Sequence, residues 1–196
     1  YGEGEGILPN RKWKLGAVGD TWYVGDTVNL GIGQGYITVT PLQLAIAISA
    51  FANKGKVFRP RIVERINDKF TSPEVLYTVS LSDKSNWKKM EDAMVRVIES
   101  WNGTAHNLFV EGQQTIAGKT GTAQIRSLSE GELTAKEEYE DVRRDEKKRD
   151  HALFVSYGPL PNPKLVVVVV IENGESGSIV AAPIAKKMIE SFVSES

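Results

Sequence analysis

Ala117-Gly118-Lys119-Thr120-Gly121-Thr122-Ala123-Gln124 packs a cation, two hydroxyls and a residue without a side chain into four successive positions, Lys119 to Thr122. Ile116 and Ile125 flank the stretch, and its small and β-branched residues read as a β-strand. Such a strand can offer backbone hydrogen bonds to an extended peptide, hydroxyls and positive charge to a carboxylate, and open approach at Gly121. It is expected to hold the carboxylate end of a peptide.

Downstream, a strand is expected over 152–157, then a turn at Pro161-Asn162-Pro163, then a valine-rich strand over 165–171. Three strands in succession closed by turns imply an antiparallel sheet. A final helix follows Pro183, with Ile184, Met188, Ile189 and Phe192 expected to face inward. Upstream, Thr40-Pro41 opens a helix over 42–53 that is apolar nearly all round and should be buried. Strands are expected over 57–66 and 75–79. A second helix should carry Trp87, Met90, Met94, Val97, Ile98 and Trp101 on one face and stop at Asn102-Gly103. Helices before and after a sheet give a layered α+β fold.

Residues 1–36 hold nine of the eighteen glycines, so turns are expected there in place of long regular elements, as in a part of a larger domain. Sixteen of the 25 residues at 126–150 are charged with mixed sign, which reads as a solvated loop beside the Lys119 strand. The functional alternative is a lid or partner-docking loop.

The chain has 196 residues and a net charge of -1 from 24 basic and 25 acidic side chains, so it lacks the basic excess of a nucleic-acid binder. No cysteine is present, which removes disulfides and thiolate metal sites. His106 and His151 stand alone without a second histidine at ligand spacing, so structural hydrogen bonding is expected of them, and no metal or cofactor. The longest apolar run, 165–171, is too short to span a bilayer, and residues 1–4 lack the features of a signal peptide. Gly118-Lys119-Thr120 fails as a phosphate-binding loop, because the required glycine position is Gln113 and Gly112 is one residue too far away.

Taken together, Gly25-Asp26-Thr27, Gly33-Gln34-Gly35, Thr40-Pro41-Leu42-Gln43, Asn102-Gly103-Thr104-Ala105-His106, Lys119-Thr120-Gly121-Thr122-Ala123-Gln124, Asp150-His151 and Glu172-Asn173-Gly174 resemble the class B penicillin-binding proteins, in order and spacing closest to the branch acting in rod-shape elongation. The Lys-Thr-Gly signature is shared with the serine β-lactamases. The resemblance implies the penicillin-binding-protein/serine β-lactamase-like transpeptidase fold. Residues 1–196 would be the C-terminal part of the transpeptidase domain, docked against the remaining part. It implies a membrane-anchored, periplasm-facing D,D-transpeptidase of the inner membrane, with its anchor outside this sequence. That enzyme cross-links stem peptides ending in D-Ala-D-Ala, is acylated by β-lactam antibiotics, and accompanies a SEDS-type rod-shape polymerase in an elongation complex.

By the same resemblance, Lys119 supplies positive potential and hydrogen bonds around the nucleophile. The hydroxyls of Thr120 and Thr122 hold the carboxylate, the Thr122 N–H donates to the oxyanion, and Gly121 leaves room for the acyl group. The family's other two signatures are SxxK, with the nucleophilic serine, and SxN. Ser85-Asn86-Trp87-Lys88 and Ser100-Trp101-Asn102 fit these patterns, but their spacings of 15 and 19 residues to the next motif are much shorter than the family's. Ser85 reads instead as the N-cap of the second helix. The nucleophile is therefore expected upstream of Tyr1. Alternatives are a D,D-carboxypeptidase or β-lactamase, in which water resolves the acyl-enzyme, or a non-catalytic penicillin-sensing module.

Overall fold

The computed structural model describes residues 4–124 and 149–195, and the chain divides into two compact units, Tyr1–Leu44 and Ala45–Ser196. The charged stretch at 126–148 and the strand end at Ile125 lie outside the described residues.

The first unit is short helices and turns. Helix α1 (Arg11–Ala17) is capped by the Asn10 carboxamide, which accepts the Trp13 N–H at 3.0 Å, and α2 (Val24–Gly31) begins where Asp26 accepts the Tyr23 N–H at 2.7 Å. Both helices are absent from the sequence reading, because seven or eight residues give too little periodicity and the glycines masked them. The unit is organised around Lys14, which is only 3% exposed. Its ammonium lies 2.8 Å from the Asp26 carboxylate and 3.4 Å from Asp20, over the ring of Tyr23. The hydrogen bond with Asp26 holds the lysine's pKa above its usual value, and Lys14 holds Asp26 below the usual carboxylate range. Thr40 and Gln43 exchange side-chain and backbone hydrogen bonds at 2.9 and 3.1 Å, a capping box that starts α3 (Pro41–Ala52).

Most of α3 is only half-buried, contrary to expectation, with Ile48 and Ala50 alone fully buried. A helix apolar on all sides needs neighbours on all sides, and the described residues cover only part of it.

In the second unit, β1 (Lys56–Phe58) pairs antiparallel with β4 (Val75–Thr78), and β2 (Arg65–Ile66) with β3 (Lys69–Phe70) across Asn67 and Asp68, both at positive φ. The single strand expected over 57–66 is thus broken. Pro60 has no N–H for a ladder, and Asn67-Asp68 accepts the left-handed conformation of a tight hairpin. Helix α4 (Ser85–Glu99) buries Met94 and Ile98. Met90 is nearly half exposed and Trp101 is 85% exposed, so the expected stripe is corrected to Met94, Val97 and Ile98, with Trp87 half-buried edge-on against Phe51. Trp101 falls beyond the helix, after the C-cap Ser100, where the 3.6 period no longer governs direction.

Strands β5 (Ala117–Ala123), β6 (His151–Gly158) and β7 (Leu165–Ile171) form the antiparallel sheet in sequence order. Helix α5 (Ala182–Ser194) packs on it through Ala182, Ala185 and Ile189. Ile184, Met188 and Phe192 are 40–51% exposed, so of the four residues expected inward only Ile189 is. The spacing 182, 185, 189 is also helical, and alanines let the helix approach the sheet more closely than a row of large side chains would allow. Phe154, wholly buried beneath the sheet, explains Gly118, where a Cβ would come within 2.5 Å of the phenyl ring. The core therefore dictates the residue preceding Lys119.

Candidate functional site

Strand β5 carries Lys119 to Thr122 with one side unpaired, since β6 is its only strand neighbour among the described residues. Cross-strand partners share a sheet face, so Thr120 (opposite Phe154) and Thr122 (opposite Ala152) lie on the face that packs against α5, while Lys119 and Gly121 lie on the other with Val155 and Leu153. Lys119 is exposed, and its ammonium donates to the Thr120 carbonyl oxygen at 2.6 Å. A Cβ at Gly121 would stand 3.3 Å from the Leu153 Cβ, so β6 crowds this position before any ligand does.

A cleft of about 500 Å³ opens beside the strand, lined by Thr104, Thr120, Thr122 and residues 175–179. Two of the expected site residues are thus brought together at one concavity. Lys119 and Gly121 are on the same strand but do not line that cleft. The Thr104 hydroxyl, not foreseen, lies 2.9 Å from that of Thr120. Ser176 and Ser178, 3.2 Å apart through their hydroxyls, form part of the opposite wall. The signal for Thr104 was present in Asn102-Gly103-Thr104, a turn that follows the end of α4, but nothing local says that it meets β5.

The wall at 175–179 is held in place by the turn after β7. The Asn173 N–H donates to His151 Nδ1 at 3.0 Å, the Asn173 carboxamide to the Arg149 carbonyl at 2.9 Å, and the Glu175 N–H to the Asp150 carbonyl at 2.8 Å. Asn173 and Glu175 have φ of 56° and 63°, a left-handed double reversal that these contacts over-determine. The motifs Asp150-His151 and Glu172-Asn173-Gly174 therefore meet as one structural lock. His106 is likewise structural, with Nδ1 donating to the Ile98 carbonyl at 3.0 Å and the ring stacked on Phe109. No cluster of three or more potential metal ligands occurs among the described residues.

Ser85 and Lys88 do not form a nucleophile and base. Lys88 bonds Asp92 at 2.8 Å and Glu91 at 3.0 Å, and these two carboxylates, Asp92 first, raise its pKa well above the usual lysine range. Ser85 is the first residue of α4 and not its cap, since Asp83 accepts the Ser85 N–H at 2.9 Å. The Ser85 hydroxyl also bonds Asp83, the largest of the effects that lower that carboxyl's pKa. A separate apolar cavity of about 270 Å³, floored by Ile98, Leu108, Ile116 and Ile189, includes none of Lys119 to Thr122.

Comparison with known proteins bears on what this arrangement does. Residues 2–190 match the penicillin binding protein transpeptidase domain. The peptidoglycan D,D-transpeptidase MrdA of Haemophilus influenzae is 36% identical over 192 residues, 96% of this chain and 29% of that protein. The crystal structure of Pseudomonas aeruginosa PBP2 in complex with WCK 5153 aligns with a TM-score of 0.80 at 37% identity, covering 98% of this chain and 39% of that one. The complex between PBP2 and MreC from Helicobacter pylori aligns with a TM-score of 0.72 at 28% identity, covering 92% and 30%. The chain thus spans less than a third of the curated relative's length.

Proposed function

The chain belongs to the penicillin-binding protein transpeptidase family, and on that premise we propose that the whole protein is a peptidoglycan D,D-transpeptidase to which this chain supplies the strand that holds the substrate's terminal carboxylate. One observation carries this reading: β5, whose one strand neighbour among the described residues is β6, borders a cleft lined by Thr120 and Thr122. A stem peptide laid along that edge gains main-chain hydrogen bonds from β5, as in strand addition, while the threonine hydroxyls donate to its D-Ala carboxylate.

Lys119, exposed on the opposite face of the same strand, contributes positive potential at the reacting centre. The Thr122 N–H serves as an oxyanion donor, a role worth about 3 kcal/mol of barrier. The nucleophilic serine belongs to the part of the whole protein that this chain does not span, in keeping with the engagement of Ser85 by Asp83 and of Lys88 by two carboxylates. The serine oxygen attacks the D-Ala-D-Ala carbonyl, the peptide C–N bond breaks, and D-alanine leaves carrying the proton. An amine of a second stem peptide then displaces the serine to form the cross-link.

The carboxylate cradle also accounts for acylation by β-lactams, which carry a carboxylate at the matching position. No helix among the described residues is long and apolar enough to cross a membrane. We infer a site facing the periplasm at the inner membrane, where peptidoglycan lies, with elongation-complex proteins as partners. The Helicobacter pylori PBP2 solved in complex with MreC supports the reading of a protein partner.

The test is to incubate the whole protein with fluorescent penicillin and, separately, with a pentapeptide-bearing glycan. Covalent label, wild-type labelling of Ser85→Ala, and cross-linked dimers are expected. Tetrapeptide monomer without dimers would make it a carboxypeptidase, rapid release of the label a β-lactamase, and stable label without peptide turnover a sensor.

A further inference from the structure

The turn at 102–108 is tied down more tightly than a surface connection requires. Gly103 lies against the Arg96 and Val97 carbonyls with no room for a Cβ, the Ala105 N–H donates to the Val97 carbonyl at 2.9 Å, and His106 bonds the Ile98 carbonyl. On its far side, Asn107 donates to the Ser178 carbonyl at 3.0 Å and Lys186 to the Leu108 carbonyl at 2.7 Å. The turn thus spans from the C-terminal end of α4 to the far wall of the cleft, and in between it places the Thr104 hydroxyl 2.9 Å from that of Thr120.

We propose that Thr104 is a positioning residue that donates its hydroxyl proton to Thr120 and so commits Thr120 to donate in turn to the bound carboxylate. This rests on the reading of β5 as a carboxylate-binding strand. A threonine hydroxyl has one proton and two lone pairs. A carboxylate accepts only, so the Thr120 proton must go to it, and Thr104 can then bond Thr120 only as donor. Such a chain polarises the second hydroxyl and strengthens its bond to the anion. It also selects one χ1 well for Thr120, whose branched Cβ leaves few choices.

The test is a double-mutant cycle in the whole protein, reading the second-order rate of acylation by benzylpenicillin alongside the melting temperature. Thr104→Val is isosteric at an exposed site and should slow acylation about tenfold, the loss of one hydrogen bond in the chain. Thr104→Ser should restore the rate to within about twofold. In the Thr120→Val background, Thr104→Val should have no further effect, because the residue through which it acts is gone. An equal slowing in both backgrounds, or no slowing in either, overturns the inference while leaving the carboxylate reading intact. An unaffected Thr120→Val enzyme overturns the carboxylate reading and this inference with it. If Thr104→Val fails to fold, Thr104→Ala runs the same cycle with the same outcomes.

Discussion

Gly177 lies so close to the carbonyl of Gly121 that a Cβ added at position 177 would stand 3.0 Å from that oxygen, with the Leu153 carbonyl nearer still. The first residue of a short π-helix, Gly177–Ala181, is thereby seated on the backbones of β5 and β6. This contact sets how near Ser176 and Ser178 come to Thr120 and Thr122.

Gly177→Ala should therefore move the cleft wall, since neither carbonyl can yield without bending the sheet. We expect a loss of about 1–3 kcal/mol, as for other overpacked sites. A lowered melting temperature together with slower penicillin acylation in the whole protein checks it. Normal values for both would mean that the wall accommodates the methyl group.

Lys119→Ala should leave stability within about 0.5 kcal/mol, because the side chain is exposed and, among the described residues, bonds only its own strand. Acylation should fall by about 100-fold, the scale of removing a preorganised electrostatic contact. Stopped-flow acylation and a thermal melt on the same sample measure both.

Tyr157 is 1% exposed, and burial, with a smaller contribution from Glu91, pushes its hydroxyl up to about 12. In the unfolded chain the phenol ionises near its ordinary value of 10.0. Between pH 10 and 12 the native state keeps a proton that the unfolded state has lost, so stability falls as pH rises through this window. The loss is on the order of 2–3 kcal/mol at the upper end. Chemical denaturation across that range should show a shallower alkaline decline for Tyr157→Phe than for wild type.

The Lys14–Asp26 pair makes the opposite prediction in acid. Because Lys14 holds the Asp26 pKa below 3.8, the stabilisation is complete above that pH and disappears as pH falls through the lowered native value. Near-ultraviolet circular dichroism of Trp13 and Trp22 should report loosening of the first unit in this range. Lys14→Met should abolish that acid transition and loosen the unit at neutral pH as well, since Asp26 then loses its buried cation.

Much of the second unit was legible because its elements obey simple periods. The valine-rich β7, the turn at 161–163 and the antiparallel order of β5, β6 and β7 lie where the run of valines, the prolines and the succession of short strands placed them. The inward face of α5 did not, because Ala182 and Ala185 look neutral in a sequence while Ile184, Met188 and Phe192 look like core. Hydrophobicity ranks residues by size, whereas the sheet selected for close approach.

The candidate site divides along the same line. Lys119, Thr120, Gly121 and Thr122 are contiguous, so one strand's worth of sequence was enough to determine that hydroxyls, a cation and a bare backbone would share a short edge. Thr104, Ser176 and Ser178 join them only after folding, from positions 16 or more residues away from Thr120. The hydrogen bonds of the 102–108 turn and the absent side chain of Gly177 bring them there, and such contacts across long separations leave no period or composition for a linear reading to detect.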